Sequence, residues 1–512
     1  MERPLAPGET LPPPTERITV LGWIYRNLLS PWYNAVLTVL GLALAYALLV
    51  PVLRWALTQA EWQVVVVNLR LFMVGQYPKE ALWRVWLLLY LLALTAGWSW
   101  GVLLGKRYAT AGFVLLGAFI GLAVLPFAPA LRFRWFTLAL TALVAWGLAY
   151  RWRAAPWARK VAFALLLLYF PIVIIVIRGF AGWDRARQFW AALYLTGVLA
   201  GLVVGMWRPE RRWPAARWGQ LGLFLVPLSL ALLPTFVAWR FSLVGLAAVT
   251  WAAWLTGRSN PTTLRGLARV LVGLYLPLLL LLYQMGPSGL LVRAMPQVGT
   301  NLWGGLLLTF LLTIVGIVFS FPLGILLALG RRSMMPAIRL FSILYIEFIR
   351  GVPLVTILFM AQVMLPLFLP PGMTIDRVLR AMAGIVLFAA AYMAENVRGG
   401  LQAIPKGQYE AAYALGLNAF QAMTLIILPQ ALRNVIPVIV NQFIALFKDT
   451  SLVAIVGLFD LLGIASTVLA QPQFIGKQRE VYTFIGLIYW IFSYGMSYTS
   501  RQIEKALGVG ER

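Results

Sequence analysis

The chain contains no cysteine and no histidine, and only 16 of its 512 residues are aspartate or glutamate. The first two absences exclude disulfides and the thiolate or imidazole ligands of ordinary metal sites. The shortage of acids argues against a polytopic membrane enzyme, which would gather acidic or histidine clusters in its loops. A phosphate-binding loop is missing as well: Gly101 to Arg107 (GVLLGKR) has the wrong glycine–lysine spacing and no Ser or Thr after the lysine. The N-terminus is polar, with Pro12, Pro13 and Pro14 in a row and no apolar core near Met1, so no signal peptide is expected.

What is present is apolar sequence in excess. Hydrophobic residues make up 62% of the chain and charged residues 11%, at a mean hydropathy of +0.85. Repeated runs of about twenty apolar residues match the length of a helix crossing hydrocarbon, and they predict an all-α polytopic membrane protein of about 14 transmembrane helices. The net charge of +26 is not gathered into one basic face. Lys and Arg sit in short clusters between the apolar runs, the pattern of topology determinants. The lipid bilayer is therefore an expected partner and nucleic acid is not. The 22 Trp and 19 Tyr suit interfacial belts.

Nine spans are expected in the N-terminal half, at 33–53, 83–105, 108–130, 134–150, 160–178, 189–207, 219–239, 241–257 and 266–285. Between the first two, 61–84 holds a short apolar run broken by Asn68 and Arg70, too short to span and expected to lie along the interface. Five more spans are expected at 302–330, 338–362, 378–398, 434–466 and 481–500. With a cytoplasmic N-terminal tail (1–32), successive inside loops collect basic clusters such as Lys106-Arg107, Arg208/Arg211/Arg212 and Arg331/Arg332/Arg339. Both termini then fall in the cytoplasm. No internal repeat is evident among the first nine spans, and their near lack of acids reads as scaffold.

The polar stretch 405–430 reads as ordered. Pro405 and Gly407 open it, Gln408 to Leu415 favour helix, Gly416 breaks that helix, Asn418 can cap a second, and Pro429 is expected to stop the second near the membrane. Glu410, Ala411 and Ala412, then Gly416, Ile426, Leu428 and Pro429, resemble the EAA loop of ABC-importer permeases. That resemblance implies a hairpin seated in a groove of a cytoplasmic ATPase subunit. It also implies an N-terminal membrane extension (33–290) on a five-helix ABC-importer permease core (291–512).

Three polar sets lie in the C-terminal half. Glu347 and Arg350 are three apart and share a helix face, so they read as a pair. Asn441 and the run Lys448, Asp449, Thr450 and Ser451 interrupt an apolar span, where charge is costly unless paired or lining a polar path. An unwound turn is expected there, with Glu347, Arg350 or the substrate as partners of Lys448 and Asp449. A structural ion pair remains the competing reading of these residues. Glu395 and Arg398 are expected to form a local pair.

YIEFIRGVPL and LFKDTSLVAIVGLFDLLG, with NLRLFMVGQYP upstream, are similar to the long permease of polar amino-acid ABC importers. The resemblance implies a bacterial inner-membrane subunit forming half of an amino-acid translocation path. It further implies a second permease subunit, an ABC ATPase and an extracytoplasmic amino-acid-binding protein as partners. ATP would bind on the ATPase and no cofactor on this chain. The alternative is a secondary transporter of amino acids driven by an ion gradient, which leaves the EAA helices unexplained.

Overall fold

The computed structural model describes residues 28–104, 129–182, 184–206, 226–231, 240–259, 261–286, 289–369 and 374–507. Among these residues there are helices and no strands, apart from isolated bridges between Phe180 and Pro296 and between Gly305 and Asp460. Seven of the described helices are long and apolar enough to cross a membrane, nine if two bent pairs are each taken as one span. Most of the expected spans at 108–130 and 219–239, the loop at Lys106-Arg107 and most of the tail lie outside the described residues.

Helix α1 (Trp32–Thr58) is apolar all round and buries none of its residues. Helix α2 (Gln63–Val74), too short to span, does not lie free along an interface as expected. Val64, Val65 and Phe72 are buried among Leu461, Ile464, Val481 and Ile485, and Phe72 meets Phe484 edge-on with ring centroids 5.3 Å apart. Asn68, read as an interruption, is accommodated because its amide donates to Val64 O (2.9 Å) and accepts from Gln471 (3.0 Å).

Two groups follow, each with three helices among the described residues: α3 (Leu82–Ser99), α4 (Pro129–Arg151) and α5 (Pro156–Arg178), then α6 (Arg185–Met206), α7 (Arg240–Ser259) and α8 (Pro261–Gln284). The first group is joined to the C-terminal half by a shared buried cluster that includes Tyr77, Leu88, Val173, Ile177, Val298, Leu308 and Val378. Buried Arg84 donates to Pro296 O at 2.9 Å across the same junction.

The C-terminal half comprises α9 (Gly305–Arg331), α10 (Pro336–Gly351), α11 (Leu354–Phe359), α12 (Arg377–Gln402), α13 (Lys406–Ala414), α14 (Leu428–Asp449), α15 (Leu461–Leu469) and α16 (Gln478–Leu507). Helices α9, α12 and α14 meet through small residues, which let backbones approach closely in the absence of a hydrophobic drive between helices in lipid. Gly316 faces Ile385 and Leu446, Gly324 faces Met393, and a Cβ on Gly400 would stand 2.6 Å from Ala431 O.

Three expectations about span limits are corrected. Residues 338–362 are not one straight span: α10 and the helix running from Leu354 to Phe368 meet at 107°. Pro353 removes an amide donor and holds Val352 extended (φ −110°, ψ 134°), which ends α10. Nor does one span run through 434–466. Helix α14 continues through Lys448 and Asp449 without unwinding, tightens to a 3₁₀ turn at Thr450–Val456, and reverses at Gly457, whose φ of +74° favours glycine. Asp460 then starts α15 afresh, accepting from Leu462 N and Gly463 N. Finally, Pro429 does not stop a helix. It sits at the first turn of α14, just after a π-helical segment (Ala422–Ile427), where its missing N–H costs little.

Candidate functional site

The hairpin between α12 and α14 is built by local signals that the sequence displays. Helix α13 ends in a Schellman turn: Leu417 N bonds Ala412 O (3.2 Å) and Gly416 N bonds Tyr413 O (2.9 Å), with Gly416 at φ +77°. Asn418 and Gln421 then cap the next helix reciprocally, at 2.9 and 3.0 Å. Of the hairpin residues singled out from sequence, Ala412 is buried, while Ile426 and Leu428 are half-buried against Leu401, Ile404, Ile427 and Ala431. Glu410, Ala411 and Pro429 are exposed. The alanine pair is thus divided, Ala412 inward and Ala411 outward. The hairpin also leaves large apolar side chains uncovered: Tyr413 is 52% exposed, Leu415 79%, Phe420 76% and Leu425 64%.

An ion cluster sits beside the root of this hairpin. Glu347 and Arg350 do not pair with each other: Glu347 bonds Arg331 at 2.8 Å, and Arg350 lies 3.9 Å from Glu395. Glu395 also bonds Arg398, as expected, and lies 3.5 Å from Arg331. Helix α10 packs beside α9, which brings Glu347 to Arg331 at the end of α9. Sequence reading took Arg331 only as a topology determinant. Its signal was its place at the end of a 27-residue apolar helix. Two acids share three guanidinium groups here, and only Glu347, at 54%, is more than about a third exposed.

Lys448 and Asp449 stand at the opposite end of α14 from the hairpin. Twenty residues of α-helix separate Lys448 from Leu428, about 30 Å at 1.5 Å per residue, so pairing with Glu347 or Arg350 is ruled out. Thr450 is buried and returns its hydroxyl to Phe447 O (2.7 Å), Asp449 and Ser451 are half-buried, and Lys448 is exposed. Asn434, Asn441 and Lys448 follow one another at seven-residue intervals and are all exposed, so they form one polar stripe along α14. Sequence reading named Asn441 and Lys448 but missed Asn434, which needed the helix limits to fall into register. It also missed Asn396 and Gln442, which link α12 to α14: Asn396 donates to Gln442 (2.5 Å), and Gln442 to Ala389 O (2.8 Å).

A helical membrane core thus carries a surface hairpin at one end and a polar stripe along α14. Residues 320–508 match the family described as "Binding-protein-dependent transport system inner membrane component". The "Inner membrane amino-acid ABC transporter permease protein YhdY" of Escherichia coli K12 is 55% identical over 217 residues, which are 42% of this chain and 59% of that protein. The "Glutamate/glutamine/aspartate/asparagine transport system permease protein BztC" of Rhodobacter capsulatus is 38% identical over 69% of this chain and 94% of its own length. The "Glutamate/aspartate import permease protein GltK" of Escherichia coli O6:H1 is 36% identical over 198 residues, 38% of this chain and 87% of its own. The chain belongs to the amino-acid ABC transporter permeases and is a multi-pass inner-membrane protein.

Proposed function

We propose that this chain forms half of the translocation path of an ATP-driven amino-acid importer and takes its power stroke through the 405–430 hairpin. The observation that carries the reading is the hairpin surface: Glu410 is exposed without an ion-pair partner among the described residues, and Tyr413, Leu415, Phe420 and Leu425 of the same hairpin are exposed as well. A hairpin that leaves several large apolar side chains uncovered beside a charged one fits a protein partner. That partner is the ATPase, which binds and hydrolyses ATP while this chain takes no cofactor. Ala412, Ile426 and Leu428 anchor the hairpin to α12 and α14, and Gly416 with Pro429 sets its bends. Closure of the ATPase is thereby passed to the helices of the path.

The path runs along the exposed stripe of Asn434, Asn441 and Lys448, where Lys448 meets the substrate carboxylate. Asp449, Thr450 and Ser451 shape the far end of the stripe. Glu347 and Arg350 hold the hairpin root through the Arg331–Glu395 cluster. A second permease supplies the other wall, and an extracytoplasmic binding protein delivers substrate. Both chain termini and the hairpin lie in the cytoplasm. The substrate class is amino acids with acidic or amide side chains, supported by the 38% identity to a permease named for glutamate, glutamine, aspartate and asparagine along 94% of its length. A carrier driven by an ion gradient would have no use for the hairpin and is not favoured.

Reconstitution with the ATPase, partner permease and binding protein tests the reading. Glu410→Lys should abolish binding-protein-stimulated ATP hydrolysis and uptake while the chain still inserts. Normal coupling at equal insertion would refute it.

A further inference from the structure

The two helix groups of the N-terminal extension are copies of one unit. Trp86, Leu89, Tyr90, Leu91, Gly97 and Gly101 recur at a constant shift as Trp190, Leu193, Tyr194, Leu195, Gly201 and Gly205. Arg132, Phe133, Leu138, Ala139, Ala145 and Trp146 recur as Arg240, Phe241, Leu246, Ala247, Ala253 and Trp254. Tyr169 and Pro171 of α5 recur as Tyr275 and Pro277 of α8. Shared letters alone prove little between apolar helices, but the contacts recur in the same register. Gly97 faces Ala142 O and the Ala145 methyl, and Gly201 faces their counterparts, Thr250 O and the Ala253 methyl. Tyr90 reaches Arg134 O at 3.4 Å, and Tyr194 reaches its counterpart Ser242 O at 2.8 Å. Tyr169 reaches Leu88 O at 3.4 Å. Tyr275 pairs with Thr196 at 2.8 Å, and Thr196 in turn donates to Ala192 O, the counterpart of Leu88 O. The expectation of no repeat is corrected on these contacts.

The copies also point the same way. Contacts between α3 and α4 advance together (Tyr90 with Arg134, Gly97 with Ala142, Gly101 with Trp146), so the pair is parallel, and Tyr194–Ser242 with Gly201–Thr250 makes α6 and α7 parallel too. Helix α5 runs back along α3, with Ala158 O bonded by Trp98 and Tyr169 at Leu88. Helix α8 runs back along α6, with Tyr275 at Thr196 and Leu282 O bonded by Gln188. The chain passes directly from the end of α5 to the start of α6, so α3 and α6 begin on the same side.

What differs is the cover. In the first copy Val173, Val176 and Ile177 are 6%, 8% and 1% exposed, packed beside Tyr77 and the flank of the permease core around Val298 and Leu308, and Tyr77 donates to Ile177 O at 2.8 Å. Their counterparts in α8 are Leu279 and Leu282, half-buried, and Tyr283, 73% exposed. Both ends of the second copy are held at one clasp, Phe180 N to Met295 O (2.9 Å) and Val298 N to Arg178 O (2.7 Å).

We infer that the face of α8 carrying Leu279, Leu282 and Tyr283 docks on the second permease of the transporter, against the flank that corresponds to Val298 and Leu308 here. The inference rests on the proposed two-permease assembly. It selects a short permease over a second copy of this chain, because in a second copy that flank is already covered by its own α5. Chains with a bare flank exist in the family: in the glutamate/aspartate relative the 198 matched residues are 87% of the protein, which leaves no room for a comparable extension.

The native chain lacks cysteine, so Tyr283→Cys can be labelled with a benzophenone maleimide in the complete complex in lipid nanodiscs and irradiated. The expected result is an adduct whose peptides map to the second permease at that flank. Phe163→Cys, on the 64%-exposed position of α5, should give lipid adducts. Attachment from Tyr283→Cys to lipid alone, to another copy of this chain, to the ATPase or to the binding protein, with the second permease present, would overturn the docking. A purified complex holding no second permease would overturn the two-permease reading itself.

Discussion

Arg332 lies over the ring of Tyr409, its guanidinium carbon 5.9 Å from the centroid, and donates to the Tyr409 hydroxyl at 3.2 Å. The basic turn after α9 is thereby tied to the hairpin helix α13, two elements 77 residues apart in sequence. At an exposed site such a contact contributes about 0.5–1 kcal/mol, a factor of roughly 2–5 in an equilibrium. Arg332→Ala should therefore lower coupled ATP hydrolysis about 2–5-fold without changing the amount of assembled complex. Arg332→Lys, which keeps the charge and loses the stacking, should recover only part of it. Equal coupling in Arg332→Ala and wild type would show that the contact carries no motion.

Gly416 offers open space around its Cα, yet its φ of +77° forbids most side chains. Gly416→Val should cost roughly 1–2 kcal/mol at the bend, and Gly416→Ala somewhat less. Neither touches the membrane core, so insertion should be normal while affinity for the ATPase falls about 5–30-fold, as read by titrating purified ATPase onto the permease in nanodiscs. Wild-type affinity in Gly416→Val would mean that the bend is not needed for docking.

Lys448 is exposed on the stripe, and a charge-assisted hydrogen bond to a carboxylate contributes about 1.5–3 kcal/mol. Lys448→Gln should raise the substrate concentration for half-maximal uptake roughly 10–100-fold and leave basal ATPase activity unchanged. Reduced recovery of complex with unaltered kinetics would assign Lys448 a structural role instead.

The absence of native cysteine makes sidedness directly readable. In intact cells, Gly407→Cys and Ser333→Cys should resist an impermeant thiol reagent until the membrane is opened, and Gln473→Cys should react at once. Labelling of Gly407→Cys from outside would invert the proposed topology.

The hairpin was legible from sequence because its signals are local: Gly416, Asn418 and a run of helix formers each act within about five residues. The spans were legible wherever apolar runs were long, as at α1, α9 and α12. What escaped depends on partners distant in the chain. Nothing in Glu347 or Arg350 announces that α10 packs so as to bring them to Arg331 and Glu395. Asn68 reads as a break in an apolar run, and only Gln471 explains its burial. Pro429 reads as a stop because proline usually is one, and the preceding π turn that absorbs it leaves no mark in composition. The repeat stayed hidden because, between helices made largely of Leu, Ala and Val, the register is fixed by a few glycines and tyrosines.

The bond from Gln471 to Asn68 spans 403 residues of chain. At about 5–20 residues per second of synthesis, α2 is finished roughly 20–80 s before Gln471 exists. During that interval Val64, Val65 and Phe72 can meet only the start of α9, where Gly305 and Leu306 pack against α2. Assembly of this permease is therefore set by the ribosome's pace at its far end, and a chain stalled anywhere before α16 presents α2 as an unfinished surface for membrane quality control to find.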